Sequence, residues 1–473
     1  MGGMHYDLVI IGSGSGNTLI TPYWDDKRVA LIEGGVFGGT CLNRGCIPTK
    51  MFVYPSELAA TPEEAERLGV QLRRDGVDWP GIRDRIFSRI DPISAGGRRY
   101  RAEELEHVDL YEEDARFTGP RQLITDSGQE ITADKVVVAA GSRARLPQVP
   151  GIDTPGVHTS DSIMRLPRLP QRIVIVGGGY IAAEFAAIFS GLGSEVIQVV
   201  RGSRLLNHTD ETVAERFTAA ATRRWEIHRE WDLTSVGVGA STDVEVRFER
   251  GEEHLALGAD VVLMATGRVP NSDRVDAAAA GFDVDPDGLL SVDGYQRVLS
   301  RGVPVEGVFA LGDVSSEHQL KHVANREARV VAHNLEHPAR LRTTDHRAVP
   351  AAIFTRPQIA SVGLTEAQAR DVAGTDLSVK VQEYADVAYG WAMEDTEGFA
   401  KVLARRSTGE ILGAHIMGEQ ASMLIQPVVQ AMVAGMDAYT LARAPYWIHP
   451  ALTEVVENAL LGLETAHTDD APL

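Results

Sequence analysis

The sequence predicts an α/β chain with two Rossmann-like dinucleotide-binding domains and a C-terminal α+β domain. Three observations carry that expectation. An apolar run near the start ends in a glycine-rich turn, "YDLVIIGSGSGN" (6–17). The same pattern returns at "RIVIVGGGYIAAEF" (172–185). A chain of 473 residues is also too long for one ordinary core, so several domains are expected.

In the first unit, Tyr6 to Ile11 reads as a strand buried on both faces. Gly12 and Gly14, with Gly16 beside them, fit the start of G-x-G-x-x-G, which lets a pyrophosphate approach a helix N-terminus. The third position is Asn17 rather than a small residue, and the following "NTLITPYW" is short and broken by Pro22. The next strand, "RVALIE", ends in Glu33, where a carboxylate accepts hydrogen bonds from ribose hydroxyls.

In the second unit, Ile173 to Val176 is the strand, and Gly177, Gly179 and Ala182 fit the fingerprint fully. Here the strand "EVIQVV" is followed by Arg201 where the first unit has Glu33. A ribose 2′-phosphate needs a cation at that place, so NADPH is expected over NADH, with Arg204 as a second contact. The bland alternative is that both arginines are solvated surface residues.

Composition narrows the function. A net charge of −20 argues against nucleic acid and against an anionic membrane surface. No apolar run approaches the roughly 20 residues of a membrane span. The start carries no leader pattern, so a cytoplasmic location is expected. Cys41 and Cys46 are the only cysteines, close together in "GGTCLNRGCIPTK" (38–50). In a reducing compartment such a pair points to redox or metal chemistry, and two thiols without nearby histidines are too few for zinc. No metal is expected. Two nucleotide sites and a thiol pair suggest an electron path, from NADPH through a flavin to a disulfide.

With these residues in place, the sequence resembles the pyridine nucleotide–disulfide oxidoreductases of the glutathione reductase-like class, from about Tyr6 to about Leu463. The redox motif is joined by "VVVAAGSRARLP" (136–147), "ATGRVPN" (265–271), "VFALGDV" (308–314) and "WIHPALTEVVENALLG" (447–462). A narrower resemblance to one member rests on "GSGSGN" (12–17), "TKMFVYPSELA" (49–59), "RIDPI" (89–93), "DVAYGWAMED" (386–395) and "WIHPAL" (447–452). It implies a low-molecular-weight disulfide other than glutathione disulfide. "GGTCLNRGCIP" is close to the dihydrolipoamide dehydrogenase form, an NAD enzyme that carries an acid where this chain has Arg201. NADPH-dependent members often have a further arginine near position 207, where this chain has Asn207. A third reading, a flavin-binding scaffold with a structural disulfide, has no need of the C-terminal His449–Glu454 pair.

The resemblance implies FAD and NADPH as cofactors and assigns roles. Cys41 is the interchange thiol that attacks substrate, and Cys46 is the flavin-proximal thiol. Lys50, four residues past Cys46 and so on the same helix face, stabilises negative charge, with Glu184 as its family partner. His449, oriented by Glu454, supplies and takes protons at neutral pH. It would reach the disulfide of the other subunit, making a homodimer, with a cis His449–Pro450 bond. Flavin contacts are Gly39, Thr40, Gly141, Ser142, Asp313, Lys321 and Ala324. The segment "LKHVANREARVVAHNL" (320–335) points its helix start at the ring. In the nucleotide domain, Tyr180 covers the flavin until nicotinamide arrives, or is ordinary core. Ile181, Glu184 and Gly267 are further cofactor contacts.

The expected divisions are a first FAD-binding part (1–146), an NADPH-binding domain (147–271), a central part completing the FAD domain (272–342), a dimer-interface domain (343–462) and a disordered tail (463–473). "PQVPG" (147–151) is the first crossing.

Overall fold

Apolar runs without alternation demand cover on both faces, and the sheets satisfy that demand. The computed structural model describes residues 3–466. It divides into two units, one formed by Met1–Met51, Pro80–Arg145 and Gly267–Asp345, the other by Phe52–Trp79, Leu146–Thr266 and His346–Leu473.

In the first unit, strands Val108–Tyr111, Val29–Ile32, Met4–Ile11, Glu130–Val138, Val303–Ala310 and Arg297–Ser300 lie side by side in that order. All neighbours are parallel except the last pair. Ile10 stands between Leu31 and Val137 in register. One face of the sheet buries Leu8, Ile10 and Leu31 against Ala328, Val331 and Leu335 of the helix Lys321–Glu336. The other buries Val9, Ile11, Val136 and Val138 with Phe117 and Phe282. The connection after Ile11 forms only two 3-10 turns, Gly16–Leu19 and Pro22–Trp24. Pro22 has no N–H to donate and would clash with a preceding helical turn.

The second unit carries the parallel sheet Glu226–Arg229, Glu195–Val200, Arg172–Val176, Val261–Met264, Val157–His158, with the helix Tyr180–Leu192 following its central strand. The segment Phe52–Trp79, which the sequence placed in the first domain, packs here instead. Trp79 stacks between Phe52 and Phe189 at 5.0 and 5.7 Å, and its indole N–H donates to Leu166 O at 2.8 Å. Such a sandwich buries large aromatic area and leaves no donor unpaired.

The same unit holds an antiparallel sheet in the order Pro350–Ile353, Ile359–Gly363, Ile411–Met417, Phe399–Arg405, Leu377–Glu383. Helices Gln426–Ala434, Ala438–Arg443 and Thr453–Leu461 share one core with it. Beside that core Lys401 is 1% exposed, and its ammonium lies 2.7 Å from both Asp210 and Glu366. Burial opposes charge on Asp210, but Lys401 and the Glu366 N–H outweigh it and hold the carboxyl below its usual range. Lys401→Ala would strand that carboxylate and is expected to cost about 3–5 kcal/mol. Arg405→Ala, which breaks the solvent-screened pairs with Glu410 and Asp376, should cost about 1 kcal/mol or less. Denaturant midpoints of the two variants compare them; equal, small losses would refute a role for the buried network.

One expectation needs correction. Residues 463–466 are not a disordered tail: Leu463 is buried, Glu464 N donates to Ser378 Oγ at 2.9 Å and Ala466 N to Arg406 O at 2.8 Å. Residues 467–473 lie outside the described residues. The last helix starts at Thr453, and residues 449–452 form a turn before it. Among the described residues no helix is long and apolar enough to cross a membrane, and no cluster of His, Cys, Asp or Glu could hold a metal.

Candidate active site

Cys41 and Cys46 do not share a helical turn. Cys41 lies in the short helix Gly39–Asn43, and Cys46 starts the next helix, Cys46–Arg67. Gly45 makes the break possible, because a Cβ there would come within 3.0 Å of Thr40 O. Pro48 falls in the first turn of the second helix, where a missing N–H costs nothing. Both cysteines are present as thiols.

The two thiols are electrostatically unlike. Cys46 has its pKa lowered to about 7. The hydrogen bond from the Cys41 thiol is the main cause; burial opposes it, while the Cys46 backbone N–H and Lys50 help, and Asp313 opposes. Cys41 is pushed far up, by donating to Cys46 and by burial, against the pull of Lys321. As pH rises through about 7, Cys46 therefore becomes the thiolate while Cys41 keeps its proton. Thiolate absorbance of the reduced protein should rise with that midpoint. Cys41→Ala removes the donor and should return it toward roughly 8.5, the ordinary thiol value. An unmoved midpoint in that variant would show that the Cys41 bond is not the cause.

Around the pair, the first glycine loop has the shape of a dinucleotide cradle. Gly12 has φ +107, and a Cβ would strike Ala139 O at 2.2 Å; Gly177 repeats this in the second unit against Ala265 O. Gly14 and Gly39 bring loop and redox segment together, since a Cβ on Gly39 would stand 2.7 Å from Gly14 Cα. Glu33 follows its strand as expected and accepts from Ser13 N at 2.9 Å, Ser13 Oγ at 2.6 Å and Gly35 N at 2.9 Å. Ser13 Oγ in turn accepts from Gly38 N at 2.8 Å, and Thr40 follows Gly39 in the short helix. Asp313 accepts from Ser142 Oγ at 2.6 Å. Lys321, the first residue of its helix, donates to Ser15 Oγ at 2.7 Å, near Gly16. Ala324 is buried one turn later. Gly141 has φ +67 and its carbonyl accepts from Asn271 N at 3.0 Å.

Sequence reading missed two arginines of this unit. Arg268 donates to Ser142 Oγ at 2.8 Å and to Ser142 O at 2.7 Å, and lies 3.9 Å from Asp313. It sits inside "ATGRVPN", next to Gly267, but nothing in that spacing reveals its partners. Arg101 donates to Asn17 Oδ1 at 2.7 Å and Asn17 O at 3.2 Å. That contact gives a physical reason for Asn17 in the fingerprint: a small residue would leave a half-buried guanidinium short of an acceptor.

In the second unit, Gly179 has open space where a Cβ would stand, as does Gly267 of the first unit, whose φ is +113. Tyr180 begins its helix and is 45% exposed, which rules out the core reading. Ile181 follows it half-buried, and buried Glu184 accepts from Phe354 N at 2.8 Å. Arg201 is exposed beyond its strand. Arg204 departs from the expected free cation, since its guanidinium lies 2.9 Å from Glu211 and 3.0 Å from Glu215. His449 Nδ1 stands 2.7 Å from Glu454 Oε1, and Ala451 N donates to Glu454 Oε2 at 3.3 Å. A carboxylate only accepts, so Nδ1 carries the proton and neutral His449 offers Nε2 as a base. The His449 side chain is 73% exposed. The His449–Pro450 bond is cis.

A family model described as pyridine nucleotide-disulphide oxidoreductase matches residues 6–328, and the model of that family's dimerisation domain matches residues 349–460. The chain belongs to the pyridine nucleotide-disulphide oxidoreductases. Mycothione reductase of Mycobacterium tuberculosis is 53% identical over 470 residues, covering 97% of this chain and 99% of that protein. The narrower resemblance seen in the sequence is to the same enzyme. Dihydrolipoyl dehydrogenase of Synechocystis sp. is 32% identical, covering 96% of this chain and 98% of that one. Glutathione reductase of Burkholderia cepacia is also 32% identical, covering 95% and 97%. Among solved structures, a Cu(II) complex of the HOCl-induced flavoprotein disulfide reductase RclA from Escherichia coli matches with a TM-score of 0.82 at 28% identity, covering 97% of this chain and 99% of that one.

Proposed function

We propose that this protein is an NADPH-dependent flavoprotein that reduces mycothione, the disulfide of mycothiol, working as a homodimer. What carries the chemistry is the close Cys41–Cys46 pair, in which the Cys41 thiol hydrogen-bonds to Cys46 and, with Lys50, lowers its pKa. FAD, when bound, relays two electrons from NADPH to the Cys41–Cys46 disulfide. Glu33, Ser13, Ser142, Asp313 and Lys321 would hold it, together with Gly12, Gly14, Gly16, Gly39, Thr40, Gly141 and Ala324. The second glycine loop, with Tyr180, Ile181 and Glu184, is the NADPH candidate.

In the substrate half, Cys41 gives up its proton and its sulfur attacks one sulfur of mycothione. The substrate disulfide breaks, one mycothiol leaves and a mixed disulfide remains. Cys46 thiolate then attacks Cys41 Sγ, closing the enzyme disulfide and releasing the second mycothiol. His449 of the partner subunit, oriented by its own glutamate, would take the Cys41 proton and return it to the first departing thiolate; the second takes a proton from solvent. The dimerisation-domain match and the exposed Met423, Val433, Tyr446 and Ile448 support a second copy. Lys50, one turn beyond Cys46, stabilises the thiolate.

The test is NADPH and NADH consumption by the purified holoenzyme, offered mycothione, glutathione disulfide and lipoamide in parallel. Mycothione turnover with NADPH preferred is the expected result. Lipoamide turnover with NADH would refute the reading and favour a dihydrolipoyl dehydrogenase, whose redox motif this chain also resembles.

A further inference from the structure

Recognition of a ribose 2′-phosphate needs cations fixed at the end of the second strand of the nucleotide unit, and the sequence offers Arg201 and Arg204 there. One of them already has partners, because Arg204 is spanned by Glu211 and Glu215. Asn207, where relatives of the NADPH type carry an arginine, lies against Gly202, whose Cβ would come within 2.4 Å of Asn207 Nδ2. A lone Arg201 would then face a doubly charged group.

A third arginine stands in the neighbouring strand. In the parallel register Arg229 pairs with Val200, one residue before Arg201. Its guanidinium donates to Ser203 O at 3.3 Å, in the segment that follows the Arg201 strand. The backbone beyond it is pinned to that segment: Glu230 N donates to Gly202 O at 3.2 Å and buried Trp231 N to Val200 O at 3.1 Å. Both Arg201 and Arg229 are exposed, and among the described residues neither is paired with a carboxylate. A guanidinium held by one carbonyl keeps its other N–H groups for a phosphate.

We propose that Arg229 is a specificity-determining residue, which with Arg201 binds the 2′-phosphate of NADPH in the role the sequence assigned to Arg204. This rests on the NADPH reading above. The test measures binding of adenosine 2′,5′-bisphosphate and of 5′-AMP to the full-length holoenzyme by calorimetry, in the parent protein, Arg229→Ala, Arg229→Lys and Arg201→Ala. Arg229→Ala is expected to weaken the bisphosphate about tenfold or more while 5′-AMP stays within about twofold, with partial recovery in Arg229→Lys. The unchanged 5′-AMP affinity shows that the site is still folded. If Arg201→Ala loses the bisphosphate and Arg229→Ala keeps it within about twofold, the assignment of Arg229 is overturned and the NADPH reading stands. If the parent protein binds both nucleotides equally, the NADPH reading falls, and the assignment falls with it.

Discussion

Cys41→Ser should lower NADPH-linked mycothione reduction at least roughly 10³-fold, while NADPH continues to reduce the bound flavin. A serine hydroxyl is not deprotonated near neutral pH and cannot form the mixed disulfide. It can still donate a hydrogen bond to Cys46, as the Cys41 thiol does. The loss is therefore confined to the half-reaction with substrate. Steady-state turnover and rapid-mixing reduction of the flavin separate the two halves. Substantial turnover in the serine variant would mean that the cysteine pair is structural, and would return the flavin-binding scaffold as the reading.

His449→Gln is the second large effect, an expected loss of about 10²–10⁴ in kcat with the flavin-reducing half intact. Glutamine accepts and donates hydrogen bonds but does not carry a proton between them at neutral pH. Glu454→Gln should lose less, because an amide oxygen can still accept from Nδ1–H and hold the tautomer, while the negative charge is gone. Folding should be little affected by the histidine change, since that side chain is 73% exposed. Thermal melts check this beside the kinetics. Parent-like kcat in His449→Gln would remove it from proton transfer.

Much of this chemistry was legible because it lies in short local patterns. The strand-turn sequences around Gly12 and Gly177 have one physical solution, a backbone that a Cβ would obstruct. Cys46 and Lys50 needed only the helical repeat, and the helix Cys46–Arg67 supplied it. His449 and Glu454 lie five residues apart and meet at 2.7 Å. Three features were set by tertiary contacts instead. The segment 52–79 follows aromatic stacking on Phe189 rather than chain order. Leu463 stays in the core because an apolar side chain follows the last helix into it. Arg204 looked available until Glu211 and Glu215, on the following helix, were brought to it.

The sequence by itself determined the two glycine-loop units, the close cysteine pair and the terminal His449–Glu454 contact. Each depends on a backbone shape or a helical spacing set within a few residues. Only the tertiary structure decided which cations have partners. Arg268 meets Ser142 across 126 positions of chain, Arg101 meets Asn17 across 84, and Arg229 reaches Ser203 across 26. Long side chains find acceptors wherever the sheets bring backbone and carboxylate near. A guanidinium's role depends on its neighbours in space, and no local period encodes those.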